Sequence, residues 1–569
     1  MRTRREENFI DSLQRGENMK LSHIYSDGMI IQRQAENIIE GYAEPDNEIR
    51  LYFDKTIYEG MCDEEGHFSI ALSPMEAGGP HTINIIDKSD RYTINDVYVG
   101  DVFLLAGQSN MELPVSRTLD LYREELKGID YPLIRMFQMP QDFKFGDPDE
   151  SVKSGEWISA DEKKVMNFSA LGFYFARIKF DKDSVPVGLV HAAVGGTHIE
   201  AFMSEERLIK TGRKLRKIAE REGRELVCRC EKNDSCKMCY EEAIAKNKDD
   251  IYVRSTIKSD LDKINSWNQK TDADDIGLIE KWYDHEWSSD EKMGGIEIKI
   301  PESWLYNVLK NRIGTVWVQR SVYVPQEFCE RDVELRLGTI VDADVTYVNG
   351  IEVGHTEYFY PPRRYQVPGG ILKHGKNTIT VRVIINNNVG EFKEDMPYCI
   401  KADENELPLD GIWNARVAAV EEPMGSQTFF SWQPTALYNR MIYPLRNMSF
   451  KSVLFYQGES NTKYAEDYEY LMIDMVKEWR TLFGYDVPFL FARLPYFRGE
   501  SWEIPSDDWE DLRDAQERAS DRIENCALVE LYDLGIYNEI HCPNKKEAAA
   551  RFYDEYVRLM RTFERGIKI

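Results

Sequence analysis

The 569-residue sequence lacks any apolar run of the roughly 18 residues needed to span a bilayer. Its first 18 residues are polar and charged, without the apolar segment of a secretory signal. We interpret residues 1–19 as a disordered tail, with Met19 as an alternative start. We therefore expect a cytoplasmic protein that has no membrane partner.

Positive charge is scarce, since 72 Lys and Arg residues stand against 99 Asp and Glu residues, a net charge of −27. Such a chain is expected to repel nucleic acid and anionic membrane surfaces. The nine cysteines are odd in number, which favours reduced thiols over a disulfide framework. Cys228, Cys230, Cys236 and Cys239 suggest a structural zinc site, but their short spacing favours a surface insertion with free thiols.

The nucleophile motif Gly-x-Ser-x-Gly is absent, which disfavours a lipase or a thioesterase. Another serine stands at the end of an apolar run. Residues 102–106 predict a short buried strand, Gly107 ends it, and Ser109 follows. Open α/β sheets carry their chemistry at the carboxyl ends of their strands, so Ser109 is the candidate nucleophile. A polar turn without chemistry is the alternative interpretation.

The pattern of predicted elements divides the rest of the chain into four parts. Short alternating strands predict a small β domain over 20–96. Strands alternate with helices over 97–269 and again over 421–569, which is the βαβ pattern of a parallel sheet. Strands of period two predict a β-sandwich inserted at 270–420, whose two ends are expected to lie close together.

Three more stretches of glycine and polar residues follow predicted strands: 194–202, 456–461 and 533–543. Acyl transfer needs a nucleophile, a base, a group that orients the base, and donors for the oxyanion. His541 is the best candidate base, because it follows a strand and a turn and precedes a helix. His191 lies within an apolar strand, where a hydrogen-bonded core histidine is the expectation. His198 is a candidate substrate contact.

The oxyanion donors are expected in the first two of these stretches. Gly195 or Gly196 suits the role because a bare backbone N–H can approach the substrate closely, although a tight turn is the alternative. Gln457 adds a side-chain amide, and Glu459 is predicted to anchor its loop by hydrogen bonds rather than act as a base. The candidate substrate contacts are Asn110, His198, Glu459, Asn461 and Arg493. The candidate partners for an anionic substrate are Arg440, Arg493 and Arg513.

From Leu21 onward, the chain resembles the sialate O-acetylesterases of the SGNH-hydrolase superfamily. The resemblance rests on four ordered motifs: Gly-Gln-Ser-Asn-Met at 107–111, Gly-Gly-Thr-His-Ile-Glu at 195–200, Tyr-Gln-Gly-Glu-Ser-Asn at 456–461, and Ile-His at 540–541. The stretch 437–442 fits as well. The four motifs in this order are specific, although none is specific alone.

This resemblance implies an α/β fold. It comprises an SGNH-type parallel-sheet hydrolase domain, a small N-terminal β domain, and an inserted sandwich of the galactose-binding jelly-roll type. It also implies hydrolysis of carbohydrate O-acetyl esters without a metal or organic cofactor. Ser109 is then both nucleophile and oxyanion donor, Gly195 or Gly196 and Gln457 complete the oxyanion hole, and His541 is the base.

One position departs from the superfamily pattern. An Asp usually stands three residues before the histidine, where this chain has Asn538. Glu539 is the nearest carboxylate, and Asp533 lies farther away, just after the last strand. We predict Glu539 as the orienting acid, with Asp533, a backbone carbonyl or a Ser–His dyad as alternatives.

An O-acetylated sialic acid is the favoured substrate on this resemblance. An acetylated plant glycan such as xylan is the alternative. A non-catalytic carbohydrate-binding protein is a hypothesis of a different class. It would use aromatic residues of the sandwich, namely Trp304, Trp317 and 358–360.

Overall fold

The computed structural model describes residues 19–88, 90–222, 240–287, 295–498 and 506–564. The predicted tail lies outside these ranges except for Met19, which is buried and whose backbone N–H donates to Asp90. Met19 therefore belongs to the folded part of the chain. The four clustered cysteines at 228–239 lie outside the described residues. Within the described part, no helix combines the length and apolarity that a membrane span requires.

The described residues form two compact units. The first takes in the chain up to Tyr252 and again from Phe429, and the second comprises Val253–Thr428. The expected boundaries near 269 and 420 are therefore displaced. The physical reason at the first boundary is a single helix, Asp250–Asp274, which begins in the first unit and continues into the second.

Parallel strands form the centre of the first unit, as the βαβ pattern predicts. In spatial order they are Asp130–Gln138, Val187–Ala193, Arg91–Gly107, Ser452–Tyr456, Phe489–Arg493 and Cys526–Glu530. The antiparallel strand Trp157–Asp161 pairs with the first of them. The apolar residues at 102–106 are fully buried, which explains why this strand reads as a continuous apolar run.

The main helices of the first unit pack in pairs and share a core with the sheet. Two pairs pack together, Ala170–Asp183 with Lys545–Glu564 and Ala465–Phe483 with Ser506–Ser520, and both contribute to the same core as the sheet. Glu205–Glu222 and Tyr240–Asn247 complete the longer helices. Between residues 115 and 126 the chain forms three short helical turns: Val115–Thr118, Leu119–Tyr122 and Glu124–Leu126.

The N-terminal β region is continuous with the parallel sheet, because the long strand Arg91–Gly107 belongs to both. The first half of this strand pairs with Gly78–Ile86 and Ile30–Gln32, and its second half lies in the parallel sheet. The expected boundary at 96 thus falls inside one strand, and both regions share one core. The other strands of the region are Lys20–Leu21, Asn37–Tyr42, Glu48–Phe53, Thr56–Met61 and His67–Leu72.

The second unit contains two antiparallel sheets around one apolar core. The larger sheet has the order Ile296–Ile300, Gly411–Val420, Gly314–Val324, Gly375–Ile385, Ala343–Val348 and Ile351–Thr356. The smaller one has the order Arg364–Val367, Val333–Leu337, Tyr398–Ala402 and Asn405–Pro408. Short pairings join Glu302–Ser303, Glu391–Phe392 and Ile340–Val341. Burial alternates along Ile296–Ile300 and Arg364–Val367, as expected for strands with one face on a core, whereas Val333–Leu337 is buried throughout.

The chain segments that enter and leave this sandwich lie side by side. Trp267 Nε1 donates to the carbonyl of Glu422 at 2.9 Å, and Lys270 forms an ion pair with Glu421. Trp304 and Trp317 are fully buried, and Trp317 Nε1 donates to a carboxylate. The expectation that these two tryptophans bind sugar is therefore wrong, since a buried ring offers no face to a ligand.

A substitution at Gly107 tests the close approach of the central strands. Gly107 has a φ of +127°, and a Cβ there would lie 2.0 Å from the Tyr456 carbonyl oxygen. We expect Gly107→Ala to lower the free energy of unfolding by about 3 kcal/mol or more, because the neighbouring strand must move. Denaturant unfolding with intrinsic fluorescence measures this change.

Gly128→Ala is the matched control. Gly128 also has a positive φ, +65°, but no atom lies within 4 Å of the added Cβ. We expect a loss of about 1 kcal/mol at this position from the backbone conformation alone. Equal losses at the two glycines would contradict the steric explanation.

Candidate active site

The serine turn, residues 107–112, begins where the central strand ends. Gly107 pairs in register with Ala193 and Tyr456, the last residues of the two neighbouring strands. Ser109 opens the single helical turn Ser109–Glu112 and is partly exposed. The Ser109 backbone N–H lies at the start of this turn, where N–H groups have no acceptor within the helix.

The glycine loop, residues 194–198, runs beside the serine turn. A Cβ added to Gly195 would lie 3.5 Å from the Cβ of Ser109. Gly196 has a φ of +74°, and the ring of Trp432 packs against the place where its side chain would be. The two glycines therefore allow backbone to approach both the nucleophile and an aromatic ring. Their role as oxyanion donors remains a prediction.

Glu112 contacts the same backbone donor that the sequence assigns to the oxyanion. Its Oε2 accepts the Gly195 N–H at 2.5 Å, and its Oε1 accepts from Gln141 Nε2 at 2.7 Å. Burial raises the pKa of Glu112, although these hydrogen bonds and the charge of Arg117 oppose the rise. An oxyanion at Gly195 must displace the Glu112 carboxyl group. A neutral, protonated Glu112 would repel the oxyanion less than a charged one.

The histidine loop, residues 535–544, brings a carboxylate to the candidate base. Glu539 Oε1 lies 3.5 Å from His541 Nδ1 and accepts the His541 backbone N–H at 2.8 Å. Asp533 is mostly exposed and forms two hydrogen bonds with Arg551, at 2.6 and 2.7 Å. This pairing lowers the pKa of Asp533 to about 2. The geometry favours Glu539 as the orienting acid.

The protonation state of His541 depends on burial and on three charges around it. Burial lowers the pKa of His541 below the ordinary 6.5, Glu539 opposes this effect, and Arg117 and Lys545 lower the pKa further. The imidazole is therefore neutral at neutral pH. Only the neutral form can accept a proton from a serine hydroxyl, which suits a general base.

Asn110, the residue after the nucleophile, connects three separate parts of the site. Its Nδ2 donates to Glu459 Oε1 at 2.6 Å and to the Ile540 carbonyl at 2.9 Å. Its Oδ1 accepts from Lys545 Nζ at 2.5 Å. Ile540 directly precedes His541, so these bonds hold the loop of the base against the turn of the nucleophile. Asn110 is almost completely buried, and its contacts make it a positioning residue, while the substrate contact expected of it stays a prediction.

The amide loop, residues 457–461, is held by the side chain of Gln457. Its Nε2 donates to Gln108 Oε1 at 3.2 Å, to the Thr197 carbonyl at 3.1 Å and to Asn461 Oδ1 at 2.7 Å. Its Oε1 accepts from Tyr468 at 2.7 Å. The amide thus joins the serine turn, the glycine loop and the amide loop. A role in the oxyanion hole, which the sequence predicts, requires this side chain to leave its present acceptors.

Two other residues of the amide loop are also engaged inside the protein. Asn461 is fully buried, accepts the Ile199 N–H at 3.0 Å and donates to Glu200 at 2.9 Å. Glu459 is buried, and burial raises its pKa although Asn110 and Lys545 oppose the rise. Contact of either residue with substrate stays a prediction, whereas the loop-anchoring role expected of Glu459 fits its contacts.

Lys545 is a buried cation that the sequence analysis did not single out. Its Nζ lies 5.0 Å from the centroid of the Tyr456 ring and acts electrostatically on Glu459 and Glu539. Burial lowers the pKa of Lys545 to about 8, against the opposing effect of the Cys542 thiol and these carboxylates. In the sequence, Lys545 could have been noticed because it stands at the start of the helix that follows the histidine loop.

The remaining histidines near the site have different surroundings. His191 is buried, with Nδ1 2.5 Å from Gln138 Oε1, and burial lowers its pKa to about 4. This arrangement confirms a core histidine. His198 is partly exposed in the glycine loop, where substrate contact remains a prediction. Among the described residues, no three His, Cys, Asp or Glu side chains are grouped as metal ligands.

The three arginines considered for an anionic substrate are all paired with carboxylates. Arg440 contacts Asp149 at 2.6 Å, while Arg493 and Arg513 both contact Glu530, at 3.1 and 3.2 Å. Arg493 has further ion pairs with two acidic residues of a neighbouring helix. Binding of a substrate carboxylate by any of them must compete with these pairs.

Comparison with known proteins gives one family match. A family model for carbohydrate esterases, described as sialic acid-specific acetylesterase, matches residues 99–227 and 412–558. The two matched segments contain all four sequence motifs. They flank the part of the chain that forms most of the sandwich.

Individual relatives are distant. Sialate O-acetylesterase from Homo sapiens is 26% identical over 209 residues, which cover 34% of this chain and 40% of that protein. The Rattus norvegicus protein is 29% identical over 153 residues, covering 25% and 28%. The matches thus span at most about two fifths of these relatives. A solved carbohydrate acetylesterase from Xanthomonas citri has a similar fold, with a TM-score of 0.52 at 17% identity over 94% of this chain and 73% of that one.

Glu539→Gln tests the orienting acid. We expect turnover of a simple acetyl ester to fall by about 10²-fold or more, because the imidazole loses its anionic partner. The acid limb of the kcat/KM profile should move to lower pH, since Glu539 raises the pKa of His541. Asp533→Asn is the control and should change turnover less than twofold. A severe loss in the control with a mild loss in Glu539→Gln would assign the role to Asp533.

Lys545→Met tests the buried cation. We expect kcat to fall about tenfold, because the Asn110 amide loses the partner that fixes its orientation. The acid limb should move to higher pH, since the Lys545 charge lowers the pKa of His541. Lys546→Met is the matched control, because that lysine is exposed and pairs with Glu125. An unshifted limb in Lys545→Met would contradict the electrostatic role.

Proposed function

Because residues 99–227 and 412–558 match the family model for carbohydrate esterases described as sialic acid-specific acetylesterase, we propose that this protein removes O-acetyl groups from carbohydrates by way of Ser109. The observation that carries this proposal is the pair of hydrogen bonds around Asn110. One bond ties the residue after the candidate nucleophile to the residue before the candidate base, and the other ties it to Lys545. A serine and a neutral histidine held in this way fit acyl transfer.

The proposed reaction has two steps. Ser109 Oγ attacks the acetyl carbonyl carbon while His541 takes the hydroxyl proton, and the carbonyl oxygen becomes an oxyanion. The ester C–O bond then breaks, the sugar oxygen leaves with the proton from His541, and the acetyl group stays on Ser109. A water molecule attacks the acetyl-serine with His541 again as base. Acetate leaves, and Ser109 regains its proton.

Backbone donors of the serine turn and the glycine loop are proposed to bind the oxyanion. Gly195 is favoured by its closeness to Ser109, with Gly196 and the Ser109 N–H as further donors. Removal of one such donor typically costs about 10²–10³-fold in turnover. Glu112 is then displaced or neutral when the oxyanion forms.

An O-acetylated sialic acid is the first proposed substrate, on the strength of the family description and the relatives. A neutral acetylated glycan such as xylan is the second. The observation in its favour is that Arg440, Arg493 and Arg513 already pair with carboxylates. A neutral sugar does not require any of these ion pairs to break.

Acetate release from a panel of substrates tests the proposal. The panel contains mono-O-acetylated sialic acids, acetylated xylan and ethyl acetate. We expect at least one acetylated carbohydrate to be hydrolysed, and Ser109→Ala to lower its turnover by about 10³-fold or more. Ser520→Ala, at the last residue of the helix Ser506–Ser520, is the control and should retain full turnover.

The pattern of substrates separates the two proposals about specificity. Turnover of sialic acid esters alone supports the first, and turnover of xylan alone supports the second. No acetate from any acetylated carbohydrate, or full activity in Ser109→Ala, would contradict the proposed function.

A further inference from the structure

Two stacked aromatic rings lie at the surface of the first unit. The rings of Phe429 and Trp432 have centroids 4.0 Å apart and an interplanar angle of 21°. Phe429 is 44% exposed, and Trp432 is partly exposed. Phe429 therefore keeps a large exposed surface although Trp432 stacks on its ring. Exposed apolar surface beside a candidate site can mark a place where a ligand binds.

The pair is fixed to the glycine loop beside the nucleophile. Trp432 Nε1 donates to the Gly195 carbonyl at 2.7 Å. A Cβ on Gly196 would lie 2.2 Å from Cζ2 of the same ring, so the indole packs directly on that residue. Gly195 in turn adjoins Ser109. The backbone unit that is proposed to bind the oxyanion therefore also anchors the aromatic pair.

The segment that carries the pair, residues 429–432, is anchored by a buried phenylalanine. Phe430, between the two exposed rings, is buried and packs against Phe143 and Phe145 at centroid distances of 5.5 and 6.0 Å. The residues Phe430–Trp432 form a short helical turn. Anchoring of this kind reduces the conformational entropy that the rings lose when they bind a ligand.

We propose that Phe429 and Trp432 form a stacking platform for the sugar ring that carries the acetyl group. This inference rests on the proposed function and names its sugar-binding subsite. The C–H groups on one face of a pyranose carry partial positive charge, which the negative face of an aromatic ring attracts. The contact also buries the apolar face of the sugar. The platform recognises the ring itself, so it accepts neutral and acidic sugars.

This platform gives the acidic chain a way to hold a sugar without an unpaired arginine. The ring stacks on Phe429, and its acetyl ester extends over the glycine loop toward Ser109. Small acetyl esters without a sugar ring do not gain this contact. The platform therefore adds selectivity for the carbohydrate rather than reactivity toward the ester.

The test is the ratio of kcat/KM for an acetylated sugar to kcat/KM for ethyl acetate. Mono-O-acetylated sialic acid and acetylated xylan fragments are the sugar probes. We expect Phe429→Ala to lower this ratio about tenfold, mainly through KM of the sugar substrate. Phe429→Trp should keep the ratio of the native protein, because the substituted side chain still has an aromatic face. Tyr42→Ala removes a ring of similar exposure, 40%, and should leave the ratio unchanged.

Binding to an inactive protein gives a second readout. Ser109→Ala should bind the better sugar probe in a titration followed by Trp fluorescence, and adding Phe429→Ala should weaken that binding about tenfold. An unchanged ratio and unchanged binding in the Phe429 variants would overturn the platform while sugar hydrolysis by the native protein continues. Absence of sugar hydrolysis by the native protein would instead overturn the proposed function.

Discussion

The hydrogen bonds of one buried amide, Asn110, hold the candidate site together. They join the serine turn to the amide loop, to the histidine loop and to the first helical turn after it. Lys545 accepts no hydrogen bond, so its contact fixes the oxygen of the amide and directs the two amide hydrogens at Glu459 and Ile540. Hydrogen bonds in such a buried network are stronger than in water, because the surroundings have a low dielectric constant. The distance between nucleophile and base therefore depends on Asn110.

The low polarity around this network sets the charges in the site. Burial raises the pKa of the carboxyl groups Glu112 and Glu459 and lowers the pKa of His541 and Lys545. Each shift favours the neutral form, as desolvation requires. Groups with shifted pKa values are typical of functional sites. Here they surround a serine at the carboxyl edge of a parallel sheet, where such sites form.

Outside the site, acidic residues neutralise the arginines that an anionic substrate would need. Arg493 alone contacts carboxylates of Asp514, Glu517 and Glu530. The excess of acidic residues in the composition is thus partly used in local ion pairs. The aromatic pair at Phe429 and Trp432 offers a different contact, which depends on shape and dispersion rather than charge.

Local patterns in the sequence predicted much of the architecture and the central chemistry. A mixed α/β fold with polar loops at one sheet edge was predicted from one repeated pattern. In this pattern an apolar strand is followed by glycine or polar residues, as at 102–107 and again before 195, 457 and 541. These features follow from burial and backbone conformation, which act over a few residues. The same reasoning predicted a core role for His191 and a loop-anchoring role for Glu459.

What only the tertiary structure decided depends on contacts between distant residues. The sequence leaves Asp533 open as an alternative to Glu539, but a helix residue, Arg551, pairs with Asp533, and Glu539 lies beside His541. Glu112 and Lys545 gain their importance from Gly195 and Asn110, each far away in the chain. The strand Arg91–Gly107 belongs to two sheets, which its period alone does not reveal. Periodicity reports which face of an element is buried, whereas packing determines the partner that buries it.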